Sequence, residues 1–153
     1  FTLAKGLGGG HAIGALLVQE KADVFTPGDH ASTFGGNPFA CRAGLTIARE
    51  LERRDLLKNV NDRGNELRTG LVRLIKAYPH LLKDARGWGL LQGLVLQDNA
   101  NVTAAQLAAK ALDHNLLVVA AGPSVLRMVP PLVINSREIR TLLTRLDTTL
   151  ANG

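Results

Sequence analysis

The chain has 153 residues, 46% of them hydrophobic and 4% aromatic, with a formal net charge of +5 and one cysteine. That length and apolar content suffice for an ordinary core and exclude a disordered segment, in which too little apolar surface is buried to offset the entropy of ordering. No window approaches the roughly 20 apolar residues of a bilayer span, and Cys41 alone makes no internal disulfide, which fits a reducing compartment.

An apolar run over residues 12–18, bounded by Gly10 and by Glu20-Lys21, predicts a short buried strand. Asn37-Pro38 predicts a helix start, because an Asn side chain caps free amides and Pro tolerates the first helical position; this helix is expected to reach about Leu51. Leu67, Leu71, Leu74, Ile75 and Tyr78 recur at helical spacing and predict a helix over 56–78, closed by Pro79. Gly87-Trp88-Gly89 then leads into a strand-like run over 90–96. Thr103 is placed to cap a helix over 104–113, followed by short strands over 116–119 and 125–129, the latter ended by Pro130-Pro131. Ile139, Leu142, Leu143, Leu146 and Leu150 mark a final amphipathic helix. The order of elements is α/β or α+β, with no repeats, and the charge density between Arg53 and Asn61 predicts a domain junction.

The basic residues Arg53, Arg54, Lys58, Arg63, Arg68, Arg73 and Lys76 are interspersed with Glu50, Glu52, Asp55, Asp62 and Glu66. That mixture predicts a solvated helix face, not the basic stripe with stacking aromatics of a nucleic-acid binder. Nothing around Phe1-Thr2-Leu3 reads as a targeting segment, so the cytosol or an organelle stroma is expected.

Chemistry concentrates near the start. Lys5 is followed by Gly6-Leu7-Gly8-Gly9-Gly10. A lysine amine beside small residues suits enzymes that hold an aldehyde cofactor on that amine and later use the freed amine as a general base, because glycines let cofactor and substrate come close to the backbone. An ordinary loop with a surface lysine accounts for the same string. It is no Walker loop, where the lysine follows the glycines, and no dinucleotide fingerprint, which needs a strand, a glycine turn and a helix. Further on, Ser32 and Thr33 offer hydroxyls, Gly35 and Gly36 permit close backbone approach, and the helix opened by Asn37-Pro38 favours an anion at its N-terminus. Simple turn and capping duty is the alternative there.

Together with Ile13-Gly14-Ala15, Gly28-Asp29-His30 and the late Leu126-Arg127-Met128-Val129-Pro130-Pro131-Leu132-Val133-Ile134, these segments resemble the lysine and phosphate-binding segments of the class III aminotransferases, over nearly the whole chain. The resemblance implies an α/β chain of fold type I. Residues 1–55 would form the end of the large pyridoxal-phosphate domain with a linking helix, and residues 56–153 the small α+β C-terminal domain. It implies pyridoxal 5'-phosphate as cofactor, with Lys5 as the Schiff-base lysine. Thr33 would hydrogen-bond the cofactor phosphate across a homodimer interface, and Ser32 would lie beside the substrate. Arg127 would grip a substrate carboxylate, for which a planar guanidinium fork is suited; an ion-paired surface arginine is the alternative.

The implied activity moves the δ-amino group of N-acetylornithine to 2-oxoglutarate, in arginine biosynthesis. Alternatives are an ω-aminotransferase for ornithine, succinylornithine or 4-aminobutyrate, an aminomutase of the glutamate-semialdehyde type, and a degenerate regulatory module without chemistry. At His11-Ala12 many relatives carry an apolar residue and Pro, so the turn is expected to be less rigid here. Without Asp, Glu or Cys nearby, His11 reads as structural, and His30, His80 and His114 are too scattered for a metal site. Cys41 reads as a small core residue. The family's aspartate for the pyridine nitrogen, its ring-stacking aromatic and a second substrate arginine precede the lysine. The chain is therefore expected to be the C-terminal part of a longer enzyme, inactive and poorly stable alone.

Overall fold

The helix expected after Asn37 is the longest element in the first of two units into which the chain divides, Phe1–Asp55 and Leu56–Gly153. The structure, a computed structural model, describes residues 1–151; residues 152 and 153 of the expected C-terminal domain lie outside the described residues. Helix α1 (Pro38–Arg53) starts as its sequence requires. The Asn37 Oδ1 accepts from the Ala40 N–H at 2.9 Å, and Pro38, which has no N–H to satisfy, takes the first position. Its buried side carries Ala40 and Gly44, one turn apart. Cys41 is exposed, contrary to its reading as a core residue, because it stands about 100° around the helix from Ala40.

The strand expected over 12–18 shrinks to two residues. Strand β1 (Thr2–Leu3) pairs antiparallel with β2 (Ala15–Leu16), Leu3 opposite Ala15, and the Leu17 N–H adds a bond to the Phe1 carbonyl at 2.8 Å. A ladder extends only as far as a neighbour supplies donors and acceptors, and β1 is itself two residues long. Leu16, Leu17 and Val18 are exposed where burial was expected.

The second unit opens with α2 (Leu56–Ala77), followed by β3 (Leu82–Trp88), β4 (Leu91–Leu96), α3 (Ala104–Asp113), β5 (Val119–Ala120), β6 (Val125–Met128) and α4 (Ser136–Ala151). The sheet order is β3-β4-β6-β5, antiparallel throughout. Strand β3 has no counterpart among the sequence expectations. Lys83, Asp84 and Arg86 face water on this edge strand and only Leu82 and Ala85 are buried, so it lacks the apolar alternation that marks a strand. The strand expected over 116–119 is displaced: Leu116 and Val118 are buried, but ladder pairing begins at Val119.

Thr103 caps α3 in a reciprocal box. Its Oγ1 accepts from the Gln106 N–H at 3.3 Å, and Gln106 Oε1 accepts from the Thr103 N–H at 2.8 Å. Hairpin β3–β4 turns at Gly89, against which α2 presents Gly64; a Cβ there would stand 2.6 Å from the Gly89 carbonyl. The basic residues of α2 pair along its surface, Lys58 with Asp62 at 2.6 Å and Arg63 with Glu66 at 3.0 Å. Tyr78 donates to Asp147 Oδ1 at 2.7 Å, tying the end of α2 to α4, and the neighbouring carboxylate raises its pKa above the ordinary phenol value.

One sheet face packs on the helices. The paired row Ala85, Leu94 and Leu126 joins Leu67 and Leu71 of α2, Leu107 of α3 and Leu146 of α4 in one core. The next row, Arg86, Gly93, Arg127 and Val119, lies on the opposite face, where Arg86, Arg127 and Val119 are exposed. No helix among the described residues is long and apolar enough to cross a membrane.

Candidate active site

Lys5 opens a 3₁₀ turn, Lys5–Gly8, directly after β1. Its backbone lies in the left-handed region, φ 54°, a conformation that costs an L-residue roughly 1–2 kcal/mol and persists only where the surroundings enforce it. Successive N–H bonds tighten the turn, Leu7 to the Ala4 carbonyl, Gly9 to Gly6 and His11 to Gly8, each at 3.1 Å.

Helix α1 braces this turn from one side. Gly44 comes close enough that a Cβ would meet the Leu7 carbonyl and Ile13 Cδ1 at 3.6 Å, and Ile47 Cδ1 lies 3.0 Å from where a Gly9 Cβ would be. The His11 ring stands edge-on to Phe39, centroids 4.8 Å apart and planes at 75°. Lys5, Gly6, Gly10, His11, Ala12 and Ile13 line an open depression of about 570 Å³. Gly6 and Gly10 have nothing within 4 Å of their Cβ positions, so side chains there would project into free space next to the lysine. Glycine at these two positions leaves the backbone beside the depression open to close approach.

Ser32 and Thr33 stand on the loop before α1. Ser32 Oγ accepts from the Gly35 N–H at 2.9 Å, and a Cβ on residue 35 would collide with the Ser32 side chain. Ser32 therefore shapes the turn, with its hydroxyl proton still available to donate. It lines a separate depression of about 750 Å³ with Leu3, Gly14, Phe25, His30 and neighbours. The Thr33 side chain is exposed. Upstream, the Thr26 N–H and hydroxyl both donate to Asp29 Oδ2, at 2.7 and 2.9 Å, which holds the Asp29 carboxyl below its ordinary pKa and fixes the turn into His30.

Arg127 belongs to the other unit. It sits on β6 opposite Gly93 and Val119, exposed on the open sheet face, and makes no ion pair among the described residues. The sequence-predicted residues thus fall into three places: Lys5 at one depression, Ser32 at a second, and Arg127 on the second unit. No group of His, Cys, Asp and Glu capable of holding a metal occurs among the described residues. Sequence reasoning left out the brace made by Phe39, Gly44 and Ile47. Its only trace is that Gly44 and Ile47 share the Ala40 face of α1 by helical spacing.

The aminotransferase class-III family pattern matches residues 1–150. The acetylornithine aminotransferase of Parasynechococcus marenigrum (strain WH8102) is 68% identical over 99% of this chain, which spans 36% of that relative's length. Among solved structures, the acetylornithine aminotransferase of Elizabethkingia anophelis aligns with a TM-score of 0.89 at 30% identity, over 99% of this chain and 38% of its own. Ornithine delta-aminotransferase of Plasmodium falciparum aligns with a TM-score of 0.91 at 25% identity, over 99% of this chain and 39% of its own.

Proposed function

The chain belongs to the class III aminotransferases, and from that premise we propose that it supplies the lysine-bearing and C-terminal portion of a transaminase acting on N-acetylornithine and 2-oxoglutarate in arginine biosynthesis. The family's chemistry depends on pyridoxal phosphate, which when bound draws electrons from the substrate carbon that carries the amine. The observation that carries the reading is the glycine-cleared depression beside Lys5. The substrate rests on the name shared by the cyanobacterial relative, and the lone cysteine suits the cytosol or an organelle stroma.

Lys5 Nζ is the amine that holds the cofactor. Freed by the incoming substrate amine, it would take the proton from the amine-bearing carbon and pass it to the aldehyde-derived carbon of the cofactor, the proton shift that moving an amino group requires. Thr33 donates its hydroxyl to the cofactor phosphate of the second site in a homodimer, and Ser32 lies beside the substrate bound there. That Lys5 and Ser32 line different depressions supports this sharing of sites between two subunits. Arg127, exposed and without an ion pair among the described residues, grips a substrate carboxylate through its planar fork. Phe1–Asp55 is then the end of the large domain and Leu56–Gly153 the small C-terminal domain.

Borohydride reduction of the full-length natural protein, as purified, tests the reading. A phosphopyridoxyl group on Lys5 is the expected result, lost in Lys5→Ala with the fold intact. A label on another lysine, or none, removes Lys5 from the site. Turnover with N-acetylornithine above ornithine and 4-aminobutyrate settles the substrate, and turnover without an external 2-oxo acid would point to an aminomutase.

A further inference from the structure

We propose that the edge-to-face contact of His11 with Phe39 is a latch holding the lysine turn on α1, which makes His11 a positioning residue for Lys5. The inference rests on the role given to Lys5 above. The turn needs such a device. Lys5 sits in the left-handed region, and Gly6, Gly8, Gly9 and Gly10 give the segment behind it wide conformational freedom. Its own 3.1 Å bonds reach only three residues along the chain, so they shape the turn without anchoring it.

Anchoring comes from α1. Gly44 and Ile47, in the middle of the helix, meet Leu7 and Gly9. Gly44 also meets Ile13 beyond the glycine run, and between Gly9 and Ile13 the His11 ring adds its own contact with Phe39. Within this chain Phe39 keeps 70% of its surface exposed, and the ring that meets it among the described residues is that of His11. The base of Phe39 is firm, because it is the second residue of a helix whose first turn is capped by Asn37. His11 also lines the depression with Lys5. The latch therefore closes the glycine run at one end while Lys5 occupies the other, and releasing it lets the lysine backbone relax out of the left-handed region and carry Nζ away.

The test uses the full-length natural protein stripped of cofactor. Pyridoxal phosphate is titrated in, its aldehyde condenses with the Lys5 amine with loss of water, and the reduced label on Lys5 is counted by mass. His11→Ala and Phe39→Ala should each raise the half-saturating concentration about three- to tenfold, the size of one aromatic pair acting on the population of competent turn. The double variant should be no worse than either single one, and His11→Phe should restore the wild-type value. Phe39→Leu, which keeps an apolar side chain of similar bulk, makes the same comparison if an alanine variant fails to fold. A lowered melting temperature with unchanged half-saturation would mean that the contact is merely structural and overturns the latch, as would additive losses or failure of the His11→Phe rescue. An unlabelled wild-type Lys5 overturns the Lys5 reading and the latch with it; a labelled wild type matched by His11→Ala overturns the latch alone.

Discussion

The two units spend their apolar residues in opposite ways. In Leu56–Gly153, Leu67, Leu71, Leu94, Leu107, Leu126 and Leu146 are all 0% exposed and form one continuous core. In Phe1–Asp55, Ala40 is the one buried hydrophobic side chain among the described residues, while Phe1, Val24 and Phe34 are exposed at 76%, 77% and 82%. The unit that carries Lys5, Ser32 and Thr33 is thus the one that cannot hold itself together by burial. Large apolar side chains left exposed in this number are surface still to be covered. On the proposed function, the rest of the large domain and the second subunit cover it. On that reading the groups proposed to react stand on turns, of which the lysine turn is braced by α1.

Cutting the chain at the junction gives the largest expected effect. Residues 56–153 alone should unfold cooperatively in urea, because their core is complete, and residues 1–55 alone should show no cooperative transition. A cooperative transition in 1–55 would break the comparison. A single core substitution comes next. Leu67→Ala should destabilise the isolated second unit by about 2–5 kcal/mol, read as a shift of the urea midpoint with the slope unchanged. Phe25→Ser, made in the 153-residue chain, should leave the second unit's midpoint where it was, since Phe25 is exposed there.

The smallest effect separates function from stability within the second unit. Arg127→Ala should leave the melting temperature unchanged, since the side chain is exposed and has no ion pair among the described residues. In the full-length enzyme it should raise the KM for a carboxylate substrate about ten- to a hundredfold, the range of a lost charge-assisted hydrogen bond. Unchanged kinetics would confine the site to the first unit and sharpen the contrast to an absolute one.

Much of this molecule was legible in its sequence because the deciding interactions are local. Asn37-Pro38 starts α1, Thr103 with Gln106 starts α3, and leucines at helical spacing place α2 and α4, since caps and periodicity act over three to seven residues of chain. The lysine and its glycines, the Ser32-Thr33 turn and the arginine ahead of Pro130-Pro131 were visible as short strings, and the roles proposed for them rest on that. Tertiary structure decided the rest. Whether the apolar run after Ala12 became a strand depended on β1, more than ten residues away, and β3 exists because β4 pairs with it, although its own residues are mostly charged or small. That Cys41 faces outward, and that His11 meets Phe39, follow from how α1 is rotated against the lysine turn. Spacing along a chain fixes which residues share a face, but only packing fixes what that face meets.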